Sequence, residues 1–126
     1  MAWLSFWLVA LVLLFPHTIK ASGPATGDAA SGKVLFEKRC TGCHALDKNK
    51  EGPRLRDVYG RKAGVAPDFS YSDELKAAKI TWDDRSLDRW LTDPDGMVKD
   101  SDMAFHVSNP KERADIIEFL RISSGK

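Results

Sequence analysis

The chain has 126 residues and a mass of 14.0 kDa, the length of one small domain, which excludes a multi-domain enzyme. Apolar residues make up 43% and charged residues 29%, so the chain is neither intrinsically disordered nor fibrous. A net charge of +1 from 19 basic and 18 acidic side chains is too balanced for holding nucleic acid or an anionic membrane by bulk charge, and two cysteines are too few for a disulfide scaffold.

In chain order, Ala2 to Phe15 is an almost wholly apolar, uncharged run, broken by Pro16 and followed by Ile19-Lys20-Ala21-Ser22-Gly23. It is shorter than the roughly 20 residues of a membrane span and ends in small residues, the pattern of a secretory signal peptide cut after Ala21. Ala2 to Phe15 lacks Lys and Arg ahead of its apolar core, so an uncleaved tether through residues 1–15 is the rival reading. Removal of residues 1–21 takes away Lys20 and leaves 18 basic against 18 acidic side chains, a net charge of zero. Export places both thiols in an oxidising compartment.

Residues 22–30 are small and polar and read as a linker, with the domain over 31–126. Asp28 is the expected cap of a helix from Ala29 to Arg39. Residues 45–70, rich in Gly, Pro and charge, read as loop with one short helix over 54–59. A short helix over 72–79 is capped by Ser72 or Asp73. Another covers 84–92 and ends before Asp93-Pro94. Residues 95–108 lack periodicity and read as loop. Asn109-Pro110 opens a final helix to about 123, with Ala114, Ile116, Ile117, Phe119 and Leu120 apolar. The result is an all-α chain with long loops, few large aliphatic side chains in the middle, and no strand pattern. Loops of that length pack only around an organising element.

Cys40-Thr41-Gly42-Cys43-His44 supplies the candidate: Cys-x-x-Cys-His is the attachment pattern of c-type haem. Two thiols three positions apart can add to two vinyl groups, and the adjacent imidazole then reaches the iron. A thioredoxin-like redox pair would need a βαβ pattern, and structural zinc would need four ligands. Neither is met. Met97, Met103 and His106, all in the irregular segment 95–108, are the candidates for the sixth ligand, and the residues alone do not choose among them.

With these residues in view, the chain resembles the class I cytochromes c over residues 28–124. The resemblance is carried by Gly32 and Phe36 before the Cys-x-x-Cys-His motif, then Gly52-Pro53-Arg54-Leu55, Val58 to Gly64, Phe69 to Ser72 and Ile80-Thr81-Trp82. It continues through Leu87, Trp90, Leu91, Asp93-Pro94, Met103-Ala104-Phe105 and Arg113 to Leu120. It implies an all-α cytochrome c fold, with N- and C-terminal helices crossing and loops wrapped round one covalent haem c. It implies an electron carrier with no substrate and no catalytic acid or base, which cycles iron between Fe(II) and Fe(III). Cys40 and Cys43 would carry the haem, and His44 and Met103 would ligate the iron. The Pro53 carbonyl would accept the His44 imidazole N–H. Arg61, Tyr71 and Trp82 would serve one propionate, and Ser101 the other.

Four departures stand out. Lys99-Asp100-Ser101-Asp102-Met103 replaces the family's usual Pro-Gly-Thr-Lys-Met, so the rigid turn before the ligand is gone. Trp90 stands where the family often has a Tyr whose hydroxyl reaches the Met sulfur. The segment from His44 to Pro53 is shorter than in the mitochondrial type. Asp95, Asp100 and Asp102 occupy a region that is lysine-rich there, although Arg39, Lys48, Lys50 and Lys99 remain. Docking through a mixed or apolar patch on redox protein partners (a membrane complex, an oxidase or a dehydrogenase) is the expectation, in the periplasm and without nucleic acid. The altered loop also allows a ligand-binding or peroxidase-like haem protein with a labile Met103, and the N-terminal run allows a membrane-anchored subunit of a larger complex.

Overall fold

The computed structural model describes residues 26–126. The expected leader and the first residues of the linker lie outside the described residues. Five helices follow: α1 (Ala29–Arg39), α2 (Asp73–Ala77), α3 (Asp84–Thr92), α4 (Pro94–Met97) and α5 (Pro110–Ser123). Among the described residues the single β feature is an isolated antiparallel bridge between Lys62 and Thr81.

Local chemistry explains the boundaries. The Asp28 carboxylate accepts from the Ser31 amide and opens α1, and the Ser72 hydroxyl does the same for α2 through Leu75. At α3 the caps are reciprocal. Asp83 accepts from the Ser86 amide while the Ser86 hydroxyl accepts from the Asp83 amide. Asp93 ends α3, and its side chain then accepts from the Gly96 amide to start α4. Asn109 caps α5, with Pro110 at the first helical position, where no N–H is needed.

Two expectations are corrected here. Residues 54–59 form turns and no helix, with Asp57 in the left-handed region at φ 62°. A backbone turned that way cannot continue a right-handed helix. Conversely, part of the expected loop over 95–108 is α4, a short turn that Asp93 nucleates.

α1 and α5 pack directly on each other. Gly32 makes this possible. A Cβ there would stand 2.5 Å from the Asp115 carbonyl carbon and 2.9 Å from the Phe119 Cβ, so only glycine lets the two backbones approach. Phe36 and Phe119 close the crossing with ring centroids 5.2 Å apart. Asp115 is buried there and accepts from the Asp28 amide at 2.7 Å and from Lys111 Nζ at 2.5 Å. Arg39 and Glu112 add an ion pair at 2.7 Å across the same helices. α3 lies on α5, and Arg113 joins Asp88 at 2.7 Å to the Val107 carbonyl at 2.9 Å. The core holds Phe36, Val58, Trp82, Leu87, Trp90, Leu91, Val107, Ile116, Ile117 and Leu120. Much of it faces inward on an internal space.

Candidate haem site

That space is a cavity of ≈ 530 Å³ between α1, α3, α5 and the loops. Its wall carries Cys40, Cys43, His44, Pro53, Arg61, Tyr71, Trp82 and Met103, eight of the nine residues that the sequence nominates. The ninth, Ser101, is not on that wall, but its hydroxyl is buried and has no hydrogen-bond partner.

The Cys-x-x-Cys-His segment leaves α1 as a turn. The Cys43 and His44 amides both donate to the Cys40 carbonyl, at 3.2 and 2.8 Å. Cys40 is half-buried, and burial pushes its thiol up to about 11 in the free-thiol chain. Cys43 is exposed. The His44 ring points inward with Nδ1 2.8 Å from the Pro53 carbonyl oxygen. A carbonyl only accepts, so Nδ1 carries the proton and Nε2 keeps its lone pair free. Burial holds the imidazole below its ordinary pKa, against the pull of the Pro53 carbonyl in the other direction. A neutral, oriented imidazole is what a metal requires.

On the facing side, Met103 lines the cavity, whereas Met97 and His106 do not. Met97 packs partly buried against the core, and His106 is exposed. The Trp90 indole N–H donates to the Met103 sulfur, with Nε1 and Sδ 3.1 Å apart. Trp90 is itself held edge-on by Trp82, with ring centroids at 5.3 Å. The indole thus reaches the sulfur, the contact that the resemblance implies for a tyrosine hydroxyl at this position.

The polar end shows what is missing from a protein-only account. Arg61 gives its two terminal nitrogens to the Arg56 and Arg54 carbonyls at 3.2 and 3.0 Å, and its buried Nε has no partner. Burial pulls the guanidinium below its usual value. Tyr71 lines the same wall and accepts from the Ala66 amide at 3.2 Å. A half-buried cation whose Nε has no acceptor and a buried hydroxyl without a partner are costly unless an anionic group meets them. The donor set therefore fits a haem: two thiols, one imidazole, one thioether, an apolar wall and buried donors for carboxylates.

Residues 29–124 match the cytochrome c family model. The chain is 39% identical over 110 residues to cytochrome c2 of Rhodomicrobium vannielii, covering 84% of this chain and 87% of that one. It is 43% identical over 98 residues to cytochrome c of Euglena viridis, covering 75% and 96%. Among solved structures, cytochrome cH from Methylobacterium extorquens superposes with a TM-score of 0.73 at 43% identity, covering 76% of this chain and 99% of that one. The chain belongs to the cytochrome c family.

As a class I monohaem cytochrome c it carries one covalent haem c, acts as an electron carrier and not as an enzyme, and meets its redox partners transiently. The crossing of α1 and α5 is the fold expected of this cytochrome c. When bound, the haem supplies the one-electron couple, and the polypeptide's part is to hold it, orient the ligands and keep water away.

Sequence reading passed over two residues of this cytochrome c. Asn49 donates its amide to the Pro67 and Asp68 carbonyls, both at 3.0 Å, and accepts from the Arg54 amide at 2.9 Å, so it ties the loop after His44 to the loop beneath the cavity. An asparagine in a polar loop gives no periodic signal. Asp115 sits among apolar residues of α5, and only its place opposite the start of α1 reveals its use.

Proposed function

We propose that Cys40 and Cys43 form the two thioether links, that His44 Nε2 and Met103 Sδ are the axial ligands, and that iron cycles between Fe(II) and Fe(III) without changing them. The carrying observation is the convergence of His44 and Met103 on one cavity, with His44 oriented by Pro53 at 2.8 Å. Arg61, Tyr71, Trp82 and Ser101 receive the propionates, as the orphaned Arg61 Nε and Ser101 hydroxyl support. Thioether ligation favours Fe(II) and suits a carrier of relatively high potential.

Residues 1–21 act as an export signal and 22–30 as a linker to the domain at 31–126. The protein works in the periplasm between a membrane complex and an oxidase, dehydrogenase or reductase. No helix among the described residues is long and apolar enough to cross a membrane. N-terminal sequencing of the exported protein tests this: a start at Ser22 supports the free carrier, and retention of residues 1–15 supports the tethered form.

An optical spectrum tests the ligand set. The ferric protein should show the weak red band of an iron–thioether bond, and carbon monoxide should leave the ferrous spectrum unchanged. Met103→Ala should abolish the band, and Met97→Ala should keep it. A carbon monoxide adduct in the wild type would favour the labile, ligand-binding haem protein.

A further inference from the structure

The cavity opens to solvent between two stretches of chain. On one side its exposed wall residues are Arg39, Cys43 and Glu51, and on the other Asp102, Ala104 and Phe105. The first stretch, residues 38–51, holds four basic and two acidic side chains, a net of +2. The second, residues 93–106, holds one basic and four acidic, a net of −3. Ion pairs leave this contrast standing. Arg39 is taken by Glu112 and Asp47 by Arg56, so Lys38, Lys48 and Lys50 remain exposed against Glu51. Lys50 is held at the mouth, because its ammonium donates to the Thr41 carbonyl in the turn that carries Cys43. Opposite it, Asp95, Asp100 and Asp102 are exposed beside Lys99, and none of these four makes an ion pair among the described residues.

A partner surface of one sign gains on one lip what it loses on the other. A second copy of this chain does not. Face to face, a two-fold axis running between the lips sets the basic lip of each copy on the acidic lip of the other, and every contact occurs twice. The same rotation brings the two openings together, with the exposed Ala104 and Phe105 beside them. A net charge of +1 opposes such a pairing only weakly.

We propose that this mouth is a self-docking surface: a second copy pairs with it briefly by two-fold symmetry, and one electron passes from the Fe(II) of one copy to the Fe(III) of the other. The exchange is balanced, since one iron is oxidised as the other is reduced and no third reagent enters. It spreads electrons through a population of carriers without any partner complex. The pairing is of the small, weak kind usual for redox encounters, which bury less than about 1,200 Å². It rests on the haem filling this cavity and not on the choice of its sixth ligand.

The test uses haem-loaded protein at ionic strengths of about 0.01 M and about 1 M, where charges are screened over about 30 Å and about 3 Å. In a half-reduced sample, magnetisation transfer between ferric and ferrous haem-methyl resonances gives the self-exchange rate. That rate should fall about tenfold from the low salt level to the high one, the lower end of electrostatic steering. A flat rate, or one that rises with salt as for a rim of one sign, would overturn the proposal. Fully ferrous protein gives a readout free of electron transfer. As it is concentrated at low salt, the amide resonances of Lys48, Lys50, Asp102 and Phe105 should move together, and high salt should reverse the movement. Movement of one lip alone, or of neither, contradicts a two-fold pairing.

Lys50→Glu combined with Asp102→Lys keeps the net charge at +1 and removes the contrast between the lips. With a wild-type optical spectrum, this double variant should exchange at low salt as slowly as the wild type does at high salt. Wild-type exchange in that variant would overturn the proposal. If Lys50→Glu impairs haem loading, Lys48→Glu takes its place under the same criteria. Failure of the haem reading shows separately, as a chain without covalent haem, whereas Met103→Ala bears only on the sixth ligand.

Discussion

Gly52 lies against the nitrogen-bearing edge of His44: a Cβ on it would stand 2.6 Å from the imidazole Nδ1 and 2.8 Å from Nε2. The ring that Pro53 orients is therefore also backed by the one residue with no side chain. The neighbour in the way is an imidazole pinned by its own hydrogen bond, so it has little room to give.

Gly52→Ala should push that ring off the Pro53 carbonyl. The expected outcome is a lower yield of haem-loaded protein and a stability loss of about 1–3 kcal/mol, the usual cost of overpacking. Denaturant titration of the loaded protein checks it. A wild-type midpoint together with a wild-type spectrum would show that the ring relaxes freely.

Asp115 joins the ends of two helices. Asp115→Ala leaves the Asp28 amide without its acceptor and should cost about 1–3 kcal/mol. Asp115→Asn keeps an acceptor for that amide and loses only the charge pairing with Lys111, so it should cost less. Urea midpoints of the two variants give the order, and equal losses would contradict it.

Acid stability has a sign that the α3 cap determines. The Ser86 amide holds the Asp83 carboxyl below its ordinary value of 3.8. A depressed carboxyl stabilises the fold above its unfolded pKa, and that contribution is lost as pH falls through the folded value. Asp83→Asn still caps α3 but cannot titrate. Its thermal midpoint should thus vary less with pH below about 4 than that of the wild type. Parallel curves for the two proteins would exclude Asp83 as a contributor.

Charge around the cavity mouth bears on docking. Phe105 is 38% exposed beside Ala104, with Asp102 exposed on the same loop and Asp95 exposed on α4. Arg39 on α1 is already paired with Glu112. Electron transfer to small anionic and small cationic metal complexes should therefore depend only weakly on ionic strength in both cases. A steep rise with the anionic reagent as salt is lowered would reveal a basic rim.

Much of this was legible before any coordinates. Caps at Asp28, Ser72 and Asn109 mark helix starts because their chemistry is local, and the Cys40-to-His44 spacing points to the haem on its own. The turn over 54–59 depends on a left-handed Asp57, a state that aspartate adopts more often than most side chains but marks far less plainly than glycine does. α4 escaped notice because four residues are too few to show a period. Met103 could not be separated from Met97 by residue chemistry. The two differ only in where the chain between Asp93 and Val107 places them, and a family resemblance had to stand in for that geometry.

Cys43 and Phe105 lie far apart in the sequence, yet both line the cavity and both reach solvent. Trp82, Leu87, Trp90, Ile116 and Leu120 insulate the same cavity from within the core. A carrier wired this way has a preferred bare contact. If donor and acceptor both meet the haem at that opening, they take turns. Throughput then follows how quickly each one lets go, and a weak grip is an asset for a protein that must leave one partner before it can serve the next.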